Sequence, residues 1–402
     1  MLQFIFVVLA LVAGSLVQAQ ESRPSVLLIS LDGFRHDYAA LHGAPNLKRL
    51  ADEGVQAEAL IPSYPSNTFP NHLSIVTGLY PEHHGIVENV FYDPARQSVY
   101  QFSQAATSMD GTWYGGTPLW VLAEQQGVRT ATFFWPGSDA EIQGKRPRDY
   151  RVFEEAIPNQ ERVRQVIDWF ARPEAVRPHF VTLYLGDVDE VGHRTGPESA
   201  DTGRAVKETD LLIGQLMDGL HATGTPVNVF IVSDHGLLQR SAVVPIGAQT
   251  EFAGFEIPSF RGIELHLYSS DTRLANTTVA KLNKRDTRFR AYLRSEIPEH
   301  LHFRNNPRIG DVVVMPTGPH VLYIERAGMP PPSFRPGQHG YDPAQFREMH
   351  GIFYAQGPDL KSGLTIPAFE NIHLYPLIAQ LLKLTPPPSL DGRLQVLRPI
   401  LK

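Results

Sequence analysis

The sequence predicts an α/β fold: a mostly parallel central sheet with helices on both faces, plus a smaller capping subregion. Three observations carry that prediction. First, aliphatic and β-branched runs recur at 25–31 (SVLLISL), from 129 (RTATFFWPG), at 179–189 (HFVTLYLGDVD) and at 227–236 (VNVFIVSDHG). Such short runs suit strands buried on both faces. Second, helical patterns at about 162–172 and 203–222 intervene, and strands alternating with helices build parallel sheets. Third, three of these strands end in acidic residues. In open sheets ligands bind outside the carboxyl ends of the strands, so these clusters should converge there.

In chain order, residues 1–19 form an uncharged apolar run closing on Val17-Gln18-Ala19. This reads as a secretory signal peptide cleaved after Ala19. No Lys or Arg precedes the run, and an uncleaved anchor is the alternative. No later segment reaches the ~18 apolar residues of a spanning helix, so no stable membrane insertion of the mature chain is expected. Residues 20–402 read as one α/β domain, with 237–336 a less regular capping subregion. The proline clusters at 329–333 and 385–389 read as rigid turns inside it.

The chain has 402 residues, 42% hydrophobic and 19% charged, enough for a substantial core. Its formal net charge is −6 without a long basic run, which argues against a nucleic-acid polymer as partner. A small anionic substrate needs only a few local cations. There are no cysteines. That removes thiolate nucleophiles and Cys-based metal sites, and for an exported protein it favours a bacterial host, periplasmic or secreted.

Asp32 follows the first strand as Asp-Gly, which alone is an ordinary turn. Asp234 and His235 sit side by side after another strand. Asp189 and His193 are four residues apart, so one helical turn places them on the same side; Asp187 and Glu190 are nearby substitutes. His339 lies between Gln338 and Gly340 in GQHGYD. Singly, each has a structural reading. Together they make three carboxylates and three imidazoles, a mixed N/O set that suits Zn²⁺, with Mn²⁺ or Fe²⁺ as alternatives. Six ligands divide into two sets of three, the arrangement that stabilises attacking and leaving oxygens in phosphoryl transfer.

Thr68 precedes Phe69-Pro70 in YPSNTFPNHLSIVTGLYPEHHG. Proline is tolerated in a helix's first turn, so a helix should open here with Thr68 at or near its N-cap. The hydroxyl then either caps the helix or, beside a metal, serves as a nucleophile at the helix's positive end. With the ligands present, the nucleophile is the preferred reading. His72, His83 and His84 are assigned to local structure.

The segments SLDGFR, YPSNTFPNHLSIVTGLYPEHHGI, DVDEVGHRTGP, VSDHG and QHGYD occur in an order that resembles the nucleotide pyrophosphatases/phosphodiesterases of the alkaline phosphatase superfamily, over about 25–358. The resemblance implies an alkaline phosphatase-like catalytic domain with two zinc ions. Asp189, His193 and His339 would hold one; Asp32, Asp234 and His235 would hold the other, with Thr68 beside it as a further ligand. His350 is the alternative to His339. It further implies a covalent intermediate on Thr68 and a phosphate oxygen held by Asn89 together with the Thr68 backbone N–H. Phe69 would stack on a nucleobase and Tyr150 would form the opposite face; core packing is the other reading of both.

The expected reaction is hydrolysis of nucleotide pyrophosphate or phosphodiester bonds to a nucleoside monophosphate. The alternatives are a lipid-headgroup phosphodiesterase acting on choline-containing lysophospholipids and a phosphomonoesterase of the same superfamily. The absence of Arg near Thr68 favours diesters, and Thr-Phe-Pro-Asn is not a sulfatase motif.

Overall fold

The computed structural model describes residues 23–333 and 335–402, so the expected signal peptide lies outside the described residues. The central sheet has eight strands in the order Leu364–Ile366, Val55–Ala57, Phe353–Gln356, Val227–Val232, Ser25–Leu31, Phe180–Leu185, Thr130–Phe133 and Asp149–Arg151. The strand Phe353–Gln356 runs antiparallel to both neighbours, and every other pairing is parallel. Ser25–Leu31 sits inside the sheet, which is why its sequence is continuously apolar.

Alternation along that strand divides the interior into two layers. Val26 and Leu28 join the cluster that includes Leu73, Val76 and Trp120. Leu27, Ile29 and Leu31 join the opposite cluster, with Val166, Phe170, Ile213 and Leu216. The second layer is supplied by helices Asn159–Ala171 and Ala200–Ala222, close to the ranges their sequence patterns predict. Both faces are therefore covered, as a parallel sheet requires.

The stretch expected to be less regular is organised. Ala242–Ala248, His320–Glu325 and Arg261–Gly262 form one three-stranded sheet; Leu265–Leu267, Val312–Pro316 and Phe289–Leu293 form another. Helix Thr272–Arg285 packs with them around a core of its own that includes Val244, Phe252, Leu282 and Val314. Among the described residues, no helix is long and apolar enough to cross a membrane.

Candidate active site

Three neighbouring parallel strands end at one edge and deliver most of the site. Ser25–Leu31 leads into Asp32, Val227–Val232 into Asp234 and His235, and Phe180–Leu185 into helix Asp187–Thr195 carrying Asp189 and His193. His339 arrives from the loop after the short strand Gly337–Gln338. The ligand atoms of Asp189, His193 and His339 lie within 4.8 Å of one another, and so do those of Asp32, Asp234 and His235. The two groups adjoin: the His235 and His339 rings stack with centroids 3.6 Å apart. Gly33 makes this approach possible. Its φ is +65°, and a Cβ there would fall 2.8 Å from the Asp189 side chain.

The donor chemistry fits divalent ions. Asp32 Oδ1, Asp189 Oδ1 and Asp234 Oδ2 are buried without a hydrogen-bond donor, a costly state unless a cation takes the lone pairs. Each imidazole is oriented from behind. Nδ1 of His193 donates to Gly337 O at 2.8 Å, that of His339 to Ser66 O at 3.0 Å and that of His235 to Gly236 O at 3.1 Å. This fixes the tautomer and turns every Nε2 lone pair toward the cluster, the outer-shell pattern of metal-binding histidines. Tyr184 Oη donates to Asp32 Oδ2 at 2.5 Å.

Charge crowding points the same way. Burial, then Asp234 and Asp189, raises the Asp32 carboxyl well above its usual pKa. Burial, with His235 and His193 beside it, pushes His339 well below the imidazole value. For Asp234 and His235 burial opposes charge, yet their mutual attraction lowers the first and raises the second. Bound cations would relieve the carboxylate repulsion.

Thr68 is the first residue of helix Thr68–Thr77, after Asn67 at the N-cap. The Asn67 side chain makes no capping bond, and Thr68 Oγ1 lies 3.3 Å from His235 Nε2. Asn89 Oδ1 accepts the Phe69 N–H at 3.1 Å. That bond orients the carboxamide, leaving Nδ2 as the free donor on a residue that lines the cavity beside Thr68. The cavity, about 550 Å³, is lined by Thr68, Asn89, Asp32, Asp189, His193 and His339 at one end and by Phe69, Phe102, Phe134 and Phe153 elsewhere.

The remaining candidates separate cleanly. Tyr150 does not line the cavity. It lies on the edge strand Asp149–Arg151, paired with Thr132, with the Arg146 guanidinium 5.8 Å from its ring. The chain leaves the sheet after Arg151 and carries Val152 and Phe153 over the mouth instead. Strand register, which composition does not reveal, puts Phe153 and not Tyr150 among the residues lining the cavity. His350 belongs to neither ligand group; its Nε2 donates to Pro343 O at 2.9 Å. His72, within helix Thr68–Thr77, is buried against Asp234 and bonded to Thr68 O and Ser30 Oγ, both at 2.8 Å. His83 pairs with Asp391, and His84 is buried beneath the same helix. Tyr184, Phe102 and Phe134 were not anticipated. Their strand and loop contexts read as ordinary core.

Comparisons with known proteins agree with this geometry. A family model described as type I phosphodiesterase / nucleotide pyrophosphatase matches residues 26–342. Ectonucleotide pyrophosphatase/phosphodiesterase family member 1 of Rattus norvegicus is 36% identical over 395 residues, covering 92% of this chain and 42% of the relative. Venom phosphodiesterase of Macrovipera lebetinus is 36% identical over 379 residues, 90% of this chain and 44% of its own length. The chain thus spans less than half the length of these curated relatives. Among solved structures, murine ectonucleotide pyrophosphatase/phosphodiesterase 5, an inactive threonine-to-alanine variant in complex with AMP, superposes with a TM-score of 0.86 at 26% identity, covering 94% of this chain and all of that one. The chain belongs to the type I phosphodiesterase / nucleotide pyrophosphatase family.

Proposed function

We propose that the protein is an exported hydrolase that cleaves nucleotide pyrophosphate or phosphodiester bonds, releasing a nucleoside monophosphate through a covalent intermediate on Thr68. The observation that carries this reading is the Thr68 hydroxyl, 3.3 Å from His235, lining an aromatic cavity together with members of two adjoining three-residue groups. The AMP complex of the murine neighbour supports a nucleotide ligand.

Two Zn²⁺ ions would be held by Asp189, His193 and His339, and by Asp32, Asp234 and His235 with Thr68; bound there, they supply a lowered hydroxyl pKa and charge neutralisation for the phosphate oxygens. Thr68 Oγ1 attacks phosphorus, the bond to the leaving oxygen breaks, and that oxygen takes a proton from solvent. Water then attacks the Thr68 ester, and the threonine oxygen leaves and regains its proton. Asn89 Nδ2 and the Thr68 N–H at the helix start hold a non-bridging oxygen. Phe69 and Phe153 flank the substrate's base, a stacking role for flat aromatic ligands.

The cavity lining contains no Lys or Arg, so a dianionic monoester lacks the protein cation it would need. The exposed apolar side chains at the mouth, Phe102, Val152 and Phe153, keep a lysophospholipid in the comparison. Purified enzyme is assayed on bis-p-nitrophenyl phosphate, p-nitrophenyl phosphate, a nucleoside triphosphate and a choline lysophospholipid. We expect the diester and nucleotide to be turned over at least ~10²-fold faster than the monoester and lysophospholipid. Dominant monoester or lipid turnover would contradict the proposal.

A further inference from the structure

Glu88 lies in the loop between helix Pro81–His84 and strand Val90–Asp93, immediately before Asn89. Its carboxylate accepts the Asn67 side-chain N–H at 2.9 and 2.5 Å and the Asn89 backbone N–H at 2.9 Å. Asn67 is the residue before Thr68, and although it occupies the N-cap its side chain caps nothing in the helix. Asn89 in turn accepts the N–H of Phe69, the residue after Thr68. The hydrogen bonds close a ring around the nucleophile: Glu88 holds the residue before it directly and the residue after it through Asn89.

The ring is braced on its other side. Gly340, next to His339, has φ +110°, and a Cβ there would fall 2.8 Å from Asn67 Oδ1. Only glycine lets the chain bearing His339 close over the Asn67 amide. Behind Glu88 lies a small cavity of about 200 Å³ shared with Glu264 and His266. Glu264 is fixed by the Tyr64 hydroxyl and by His266 Nε2 at 2.8 Å. Burial, then Glu264, raises the Glu88 carboxyl to about 8. A carboxyl retained against that electrostatic cost has a use that an apolar side chain could not serve. It offers acceptors for two donors from different segments at one point.

We infer that Glu88 is a positioning residue of the proposed reaction, clamping Asn67 and Asn89 so that the Thr68 hydroxyl and the Asn89 amide keep a fixed separation across the phosphate. The inference rests on Thr68 being the nucleophile. A loss of alignment of about 1 Å costs on the order of 10²-fold in rate without weakening substrate binding equally.

The test measures kcat and KM on a nucleotide diester for wild type, Glu88→Ala, Glu88→Gln and Thr68→Ala, each normalised to metal content. Glu88→Ala is expected to lower kcat by ~10²-fold with KM within about 3-fold of wild type. Glu88→Gln keeps one acceptor and fills the same volume; it should recover to within ~10-fold of wild type. Adding Asn67→Ala to Glu88→Ala should cost little more than either change alone, because both open the same ring. A Glu88→Ala enzyme with wild-type kcat, or one whose loss lies wholly in metal content, would overturn the clamp. So would a Gln variant no better than Ala. The Thr68→Ala control separates the two claims: if it is inactive while Glu88→Ala is normal, only the clamp fails, and if it is active, the nucleophile assignment fails.

Discussion

His84 shows what a single buried group asks of this fold. Its Nδ1 accepts the Ile86 N–H at 3.2 Å, so the proton of the neutral ring sits on Nε2, facing Pro70 O and Ser74 Oγ, both at 3.1 Å. Burial, helped by His83 and Arg308, lowers its pKa to about 3. The unfolded chain takes up the proton below about 6.5 and the folded chain does not, so this contribution to stability is complete above pH ~6.5 and is lost as pH falls toward 3. Thermal unfolding between pH 6.5 and 5 should be steeper for wild type than for His84→Gln, by up to about 1.4 kcal/mol per pH unit. Equal slopes would remove His84 from the acid sensitivity. At this scale the sequence was a good guide to which side chains meet: Asp32, Asp189, His193, Asp234, His235 and His339 stand at strand ends or one helical turn apart, and topology brings them together. It was a poor guide to Phe153, because the Thr132–Tyr150 register that turns Tyr150 away is a property of the sheet.

Among the elements, helix Ala200–Ala222 does more than cover the sheet. Its buried Asp210 accepts from Asn46 N at 3.1 Å, Asn46 Nδ2 at 2.9 Å and Leu47 N at 2.8 Å, satisfying the start of helix Pro45–Glu53, which has no side-chain cap of its own. Asp210→Ala leaves those donors buried without an acceptor and should lower unfolding free energy by about 2–3 kcal/mol. Turnover per folded molecule should be unchanged, since Asp210 does not line the cavity. A denaturant titration with a shift under about 0.5 kcal/mol would refute this. The long helices and buried strands were legible because their periodicity extends over many residues. The capping sheets were not. Their strands are as short as Arg261–Gly262 and Leu265–Leu267, too brief for alternation to register, and they are recognised only once Val312–Pro316 and His320–Glu325 pair with them.

Across the whole molecule, the central sheet gathers the six Asp and His side chains, and the capping subregion bonds to the segments flanking Thr68. Glu264, on the far side of Glu88, is tied to Tyr64 just upstream of Thr68, while Arg308 reaches Asp93 at 2.9 Å and the carbonyls of Gly85 and Trp113. These long-range bonds explain why Glu88 and Tyr184 escaped the sequence reading: their roles exist only after distant segments meet. The fold places the Thr68 oxygen beside His235, one residue past the N-cap Asn67. The most direct test is Thr68→Ala in enzyme whose metal content and AMP binding are measured alongside turnover. The account predicts that kcat on a nucleotide diester falls by about 10³-fold or more while metal content and AMP binding stay near wild type. Turnover within about 10-fold of wild type would contradict it.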